Sequence, residues 1–323
     1  MSLPPSIRSR LTLPAVCAPM FLVTTPELVR EACLAGVIGG LPRQNARSIE
    51  EFEAWLAMIS EALKRRRDAE PDARLAPIAV NLASNMSPAD FDANLSLCQR
   101  YGVEIVINAT GNPTELAKRA HDRGMLVWAD AISMRFAEKA MSVGAEGIVA
   151  IGAGGGGHSG VVSHLALIAA IRERFDGTLI MAGAVSTGAA IRAAEILGAD
   201  LAYMGTRFIA TAESGAHDAY KALLVSQRSV DLMYTPKIAG VAANWLVESM
   251  RMVGLDPANL PEPEPGRMGT GHLPPTVRPW ANLWSAGQGI DQIDDIPPVA
   301  ALVDRLRAEY DAACRTPRFD AAP

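Results

Sequence analysis

From Ala15 onward the chain alternates between short apolar runs and longer stretches in which apolar residues recur every three to four positions. The first pattern marks strands buried on both faces, the second amphipathic helices. Strands are predicted at Ala15–Met20, Val37–Leu41, Leu75–Leu82, Glu104–Ala109, Met125–Ala129, Gly147–Ile151, Thr178–Ala182 and Leu201–Met204. Helix-start chemistry falls between them: Thr25 before Pro26, Ser48 three residues before Glu51, Ser87 before Pro88, and Asn112-Pro113 ahead of Glu115. Small polar residues at these positions accept from first-turn amides, and proline suits the first helical position because it lacks one. Further helices are predicted from about Ser133 to Val143, at His164–Phe175 and at Ala189–Leu197. Eight strand–helix units match a closed parallel (β/α)8 barrel, while an open doubly wound sheet uses the same alternation and stays open as an alternative.

After Phe208 the rhythm breaks. Glu213–Val230 reads as helical, Asp256–Pro279 is rich in proline and glycine, and Val299–Tyr310 forms a last helix. Trp245, Trp280 and Trp284 lie in this late part, which must therefore pack on something apolar. The expected architecture is an α/β TIM barrel over residues 1–212, a small helical lobe over 213–297 across the active rim, and a C-terminal segment, 298–323, closing on the barrel.

Composition narrows the function classes. With 49% hydrophobic residues among 323, there is material for one large core. A formal charge of −5 argues against a nucleic-acid or anionic-membrane surface, and the cluster Lys64–Arg67 ends a predicted helix, where cations complement the carbonyl terminus. Cys17, Cys33, Cys98 and Cys314 show neither redox nor metal-ligand spacing, so a reduced compartment and no metal are expected. Met1–Arg10 has no apolar core of a leader and no run of about 18 apolar residues follows, which points to a cytoplasmic protein.

The candidate chemistry centres on Ile151–Gly160, a glycine-rich loop between the sixth strand and its helix. Glycines let backbone approach a bound group closely, and His158 is the loop's one side chain able to move a proton near neutral pH. In a barrel the C-terminal strand ends form the active face, which places Met20, Asn81, Asp130, His158, Gly183 and Gly205 on one rim. Asp130 serves equally well, on sequence alone, as a cap for the following helix. Gly183-Ala184 and Gly205-Thr206 follow strands seven and eight, where such barrels hold a phosphate. His121, His164, His217 and His272 have no partners in the pattern and are assigned no chemistry.

The strings GGGGHSG, MAGAVSTG, ADLAYMGTRFIATAES and WSAGQG resemble the FMN-dependent nitronate monooxygenase (2-nitropropane dioxygenase) family, over a span from Ala18 to Gly289. The resemblance implies a TIM barrel with FMN at the strand ends. Pro19 and Met20 would lie against the flavin, Asn81 would contact it, Gly157 would pass near the ring, and Gln288 would reach it from the late lobe. Gly183, Ala184, Gly205 and Thr206 would hold the phosphate, and His158 matches the catalytic histidine. The chain departs from the family pattern at Gly154, where an acidic residue is common, around Ala129, where a basic residue is often found, and at Phe21, which is polar in some members. The implied activity is oxidation of nitronates or nitroalkanes with O2, giving a carbonyl compound and nitrite. Alternatives on the same site are an NAD(P)H-dependent reductase of a quinone or enoyl thioester, a dehydrogenase of a CoA thioester, and a flavin-binding sensor or assembly protein without turnover. The oligomeric state is open.

Overall fold

A computed structural model describes residues 2–109, 111–263 and 269–317. Parts of the proline- and glycine-rich stretch and of the C-terminal segment, residues 264–268 and 318–323, lie outside the described residues. Eight parallel strands close into a barrel in chain order: β1 Ala15–Cys17, β2 Ile38–Pro42, β3 Ile78–Leu82, β4 Ile105–Asn108, β5 Leu126–Ala131, β6 Gly147–Ile151, β7 Thr178–Ala182 and β8 Leu201–Met204. Pairing of β1 with both β2 and β8 closes the ring and removes the open-sheet alternative. β1 stops short of the expected Met20 because Pro19 has no amide for the ladder. β5 instead runs two residues past Ala129, as Asp130 and Ala131 pair with Val149 and Ala150.

The expected caps form. Thr25, Ser48 and Ser87 accept from Leu28, Glu51 and Asp90 amides at 3.1, 3.2 and 3.2 Å, each contributing about 1 kcal/mol. Asn112 accepts from the Thr114 amide at 3.2 Å ahead of the helix Thr114–His121. The cluster Lys64–Arg66 is spent on exposed i,i+4 ion pairs with Asp68, Glu61 and Glu70, a solvated face.

Alternation along the strands builds two apolar layers. Val16, Ile38, Ala79, Ile107, Trp128, Val149 and Ile180 fill the barrel interior, and the opposite faces pack against the helices. Trp128 is accommodated because its register partner is Gly147, where a Cβ would stand 2.2 Å from the indole. Leu3, Ile7 and Leu11, flanking or within the short helix Pro5–Arg8, belong to the same interior cluster and join the N-terminal segment to it.

The late segment differs from the helical reading. Its helix is Asp218–Ser226, shorter than Glu213–Val230, because Glu213 is used to accept from the Val299 amide with both carboxylate oxygens. Beyond it, β9 Leu232–Thr235 and β10 Ala243–Leu246 form a two-stranded antiparallel ribbon. Trp245 on β10 is fully buried, consistent with the expectation that the tryptophans pack. The last helix, Val299–Cys314, packs on the helix Gly188–Ile196 and holds its first amide through Glu309 at 2.7 Å.

Candidate functional site

The C-terminal ends of the strands surround a cavity of about 580 Å³. Its near edge is the segment after β1. Gly40 of β2 lets this segment cross, since a Cβ there would meet the Pro19 ring at 2.5 Å. Asn45 then pins the turn by donating to the Met20 and Thr24 carbonyls at 3.0 and 2.9 Å and accepting from the Leu22 amide at 2.9 Å. Among the described residues, three non-glycines adopt positive φ: Leu22, Ala184 and Trp280. The last two line the cavity and the first lies between lining residues Phe21 and Val23, so the costly backbone conformations are gathered at one place.

The histidine loop is held by the late ribbon. The Ser159 amide donates to the Ala242 carbonyl at 3.2 Å, the Tyr234 hydroxyl to the Ser159 carbonyl at 3.1 Å, and the Asn244 side-chain amide to the Gly155 carbonyl at 2.8 Å. His158 itself bridges to Ala243 through the backbone and meets Trp280 edge-on, with ring centroids 5.3 Å apart. Among the described residues no protein group hydrogen-bonds its ring, and partial desolvation lowers its pKa below the ordinary 6.5. The ring is therefore mostly neutral at neutral pH and able to accept a proton.

Across the cavity, Gly183 and Ala184 have φ of +108° and +57°. Gly205 does not: its φ is −98°, open to any residue, and an added Cβ would meet only Met20 Sδ at 3.6 Å and Ala18 Cβ at 3.9 Å. Its value as a glycine is thus the room it leaves in the cavity. Among the described residues the amides of Ala184, Gly205 and Thr206 have no protein acceptor, leaving donors for an anionic oxygen. Thr206 Oγ1 accepts from the Gly287 amide at 2.9 Å and ties the late segment to this rim.

Pro19, Met20, Asn81, Gly157, His158, Gly183, Ala184, Gly205 and Thr206 all line the cavity. Gln288 does not: it is exposed and its side chain stands over Gly154 and Ala184, while Gly287 and Gly289 of the same segment line the cavity. Gly154 has φ +97° and would place a Cβ 3.0 Å from Gln288 Oε1, so its backbone suits glycine rather than an acidic residue. Among the described residues no cluster of potential ligands could hold a metal.

A match to the nitronate monooxygenase family extends over residues 11–309. The chain belongs to the nitronate monooxygenase family. It is an oxidoreductase by that membership. It is 26% identical over 293 residues to a nitronate monooxygenase of Paraburkholderia phytofirmans, covering 77% of each chain. It is also 28% identical over 228 residues to a hydroxy-methyl-oxo-octahydroindene-carboxyl-CoA dehydrogenase of Rhodococcus jostii, covering 71% of this chain and 61% of that one. A nitroalkane oxidase structure from Streptomyces ansochromogenes shares the fold at TM-score 0.71 and 24% identity, covering 96% of this chain and 99% of that one.

Within this family fold, the structure adds residues that the motifs left aside. Asn108, Asp130 and Tyr203 line the cavity from β4, β5 and β8, and Phe21, Phe136 and Trp280 give it an aromatic mouth. Asp130 is no helix cap, since Ser133 precedes the helix Met134–Ser142. Its signal was the strand alternation: Leu126, Trp128 and Asp130 share one face. His164 braces the start of the glycine loop, with Nε2 at 2.8 Å from the Ala182 carbonyl and its ring filling the space beside Gly152. His121 sits against Glu146, and His217 accepts from the Ala219 amide at 3.1 Å.

Proposed function

We propose that the chain is an FMN-dependent oxidoreductase that oxidises nitronates and nitroalkanes with O2, with His158 as the base. The observation that carries this reading is an imidazole of lowered pKa, without a hydrogen-bond partner among the described residues, at a cavity whose opposite wall offers backbone amides with no acceptor among them. The residues fit the cofactor on two counts. A Cβ at Gly205, which lines the cavity, would make only ordinary contacts with Met20 and Ala18, as expected of a glycine that leaves room for a phosphate, and the adjoining amides have no acceptor among the described residues. Gly183, Ala184, Gly205 and Thr206 would hold the phosphate, with Pro19, Met20, Asn81 and Gly157 along the remainder. Bound FMN would supply the electron acceptor and pass electrons on to O2.

The protein's own part is binding, orientation and proton transfer. His158 takes the proton from the carbon bearing the nitro group, leaving the anionic nitronate. Trp280 meets the exposed His158 ring edge-on and so orients it at the cavity mouth. The reading is tested by purifying the protein, identifying heat-released flavin, and assaying a panel of nitroalkanes and nitronates. Colourless protein that ignores added FMN, or yellow protein inert toward every nitro compound, overturns it.

A dehydrogenase acting on a CoA thioester is the second reading, favoured by the Rhodococcus relative and by the aromatic mouth of Phe21, Phe136 and Trp280. It uses the same proton transfer at carbon beside a carbonyl. A reductase drawing on NAD(P)H is separated from both by anaerobic mixing: bleaching of the flavin by NADH or NADPH selects it.

The Gly205 geometry makes its own prediction. Gly205→Val is expected to change the stability of FMN-free protein by less than about 1 kcal/mol, because φ is already permissive and the new atoms enter the cavity. FMN affinity should fall by more than about tenfold, as backbone approach to the phosphate is blocked. Equal losses in thermal stability and in affinity would assign Gly205 to the fold instead.

A further inference from the structure

Asp130 stands two residues beyond Trp128 on the inward-facing set of β5, at the cavity floor. Its Oδ1 is occluded and has no hydrogen-bond partner among the described residues. The same is true of Asn108 Oδ1 at the end of the adjoining strand β4. Buried side-chain oxygens without partners are uncommon because each forfeits its hydration for nothing. Asp130 as a whole is half-buried and lines the cavity, so the rest of its carboxyl is open to a ligand there.

The surroundings decide the protonation state in which Asp130 meets that ligand. The Tyr203 phenol on β8 feels both Asp130 and the buried Cys17 thiol on β1, and neither Tyr203 nor Cys17 is a cation. β6 presents Val149 beside Asp130, while Asn108 of β4 is in register with Ala129, one residue before it. Among the described residues no lysine or arginine lines the cavity, and desolvation lowers the pKa of His158 at the mouth. A carboxylate here would be half-buried with no cation opposite it among the described lining residues, and desolvation pushes the Asp130 carboxyl up to about 8.

We propose that Asp130 is a positioning residue that stands as the neutral acid and donates a hydrogen bond to the ligand on the cavity floor, so that ionising it weakens binding. Taking that ligand to be FMN rests on the reading above; the flavin ring carries carbonyl and imine acceptors that a carboxylic acid can serve and a carboxylate repels. The polar floor then has a division of labour in which amides at Gly205 and Thr206 meet the anionic end and Asp130 meets a neutral acceptor.

The test is the dissociation constant for FMN, read from flavin fluorescence on dilution of the holoprotein, from about two pH units below to about two above the Asp130 value near 8. The expected curve is flat on the acid side and weakens toward about tenfold per pH unit on the alkaline side. Asp130→Asn, which keeps a donor and cannot ionise, should bind within about threefold of the native protein at neutral pH and lose the alkaline weakening. Asp130→Leu should bind at least about tenfold more weakly at every pH. Tyr203→Phe should keep the alkaline weakening, which assigns the titration to the carboxyl. A native curve flat across the range, or equal losses in the Asn and Leu variants, overturns the proposal while leaving the FMN reading intact. A second measurement is independent of flavin: the infrared difference between native and Asp130→Asn protein at neutral pH should contain a protonated-carboxyl band, and a carboxylate band in its place overturns the proposal. Protein that binds no flavin at any pH removes the cofactor reading, a failure distinct from either of these.

Discussion

His158→Asn is expected to lower turnover of neutral nitroalkanes by about 10²–10⁴-fold, the usual contribution of a positioned acid–base group. FMN should stay bound, because the Gly183-Ala184 and Gly205-Thr206 segments lie on other loops of the cavity. The same variant should retain far more activity on pre-formed nitronates, which have already lost the proton. The pH profile supplies a second check. Only the neutral imidazole is a base, so in the native protein turnover of neutral nitroalkanes should rise with pH and level off once pH exceeds the His158 value. Desolvation holds that value below 6.5, so the rising limb should lie on the acid side of an ordinary histidine titration. Steady-state rates on both substrate forms across pH decide the matter: equal losses on the two forms would assign His158 to orienting substrate rather than to taking its proton.

The second large effect concerns the fold. Gly188→Val should destabilise the protein by about 3 kcal/mol or more, above the common range for overpacking. A Cβ at Gly188 would stand 2.1 Å from the Leu306 carbonyl and 2.4 Å from the Tyr310 amide, and backbone on a packed helix cannot yield as a side-chain end can. The helix Val299–Cys314 would be pushed off Gly188–Ile196, breaking the Glu309 bond to the Gly188 amide. Thermal unfolding of the variant, together with susceptibility of the C-terminal helix to proteolysis, reads the outcome. Native-like melting would show that the two helices have slack that the contact distances deny.

The structure changes the reason behind one motif. Glycine density in the sequence pointed to positive φ, and this holds at Gly154 and Gly183 but not at Gly205, whose contribution is the room left beside Met20 and Ala18. Density alone cannot separate these two uses, because each looks the same in a string of letters. Likewise Gln288 was placed by its motif and stands outside the cavity lining, while its neighbours Gly287 and Gly289 line it. A residue number carries no direction for the side chain; the turn Gln288–Gln292 supplies it.

What the chain determined by itself was whatever depends on neighbours in sequence. Short apolar runs set between 3.6-period stretches yielded eight strands, three of them with the observed bounds, and Thr25, Ser48 and Ser87 started helices because a cap needs only an acceptor and an amide three residues on. The glycine loop and His158 were legible for the same reason. Tertiary structure alone decided the ribbon β9–β10, whose short strands carry little pattern, and decided that this ribbon would clamp a loop more than 70 residues earlier through Tyr234 and Asn244. It also decided Asp130. Its character comes from barrel closure, which brings Tyr203 from β8 near it, places Asn108 on the same cavity and leaves no lysine or arginine among the described lining residues, and burial and charge balance are sums over residues distant in the chain.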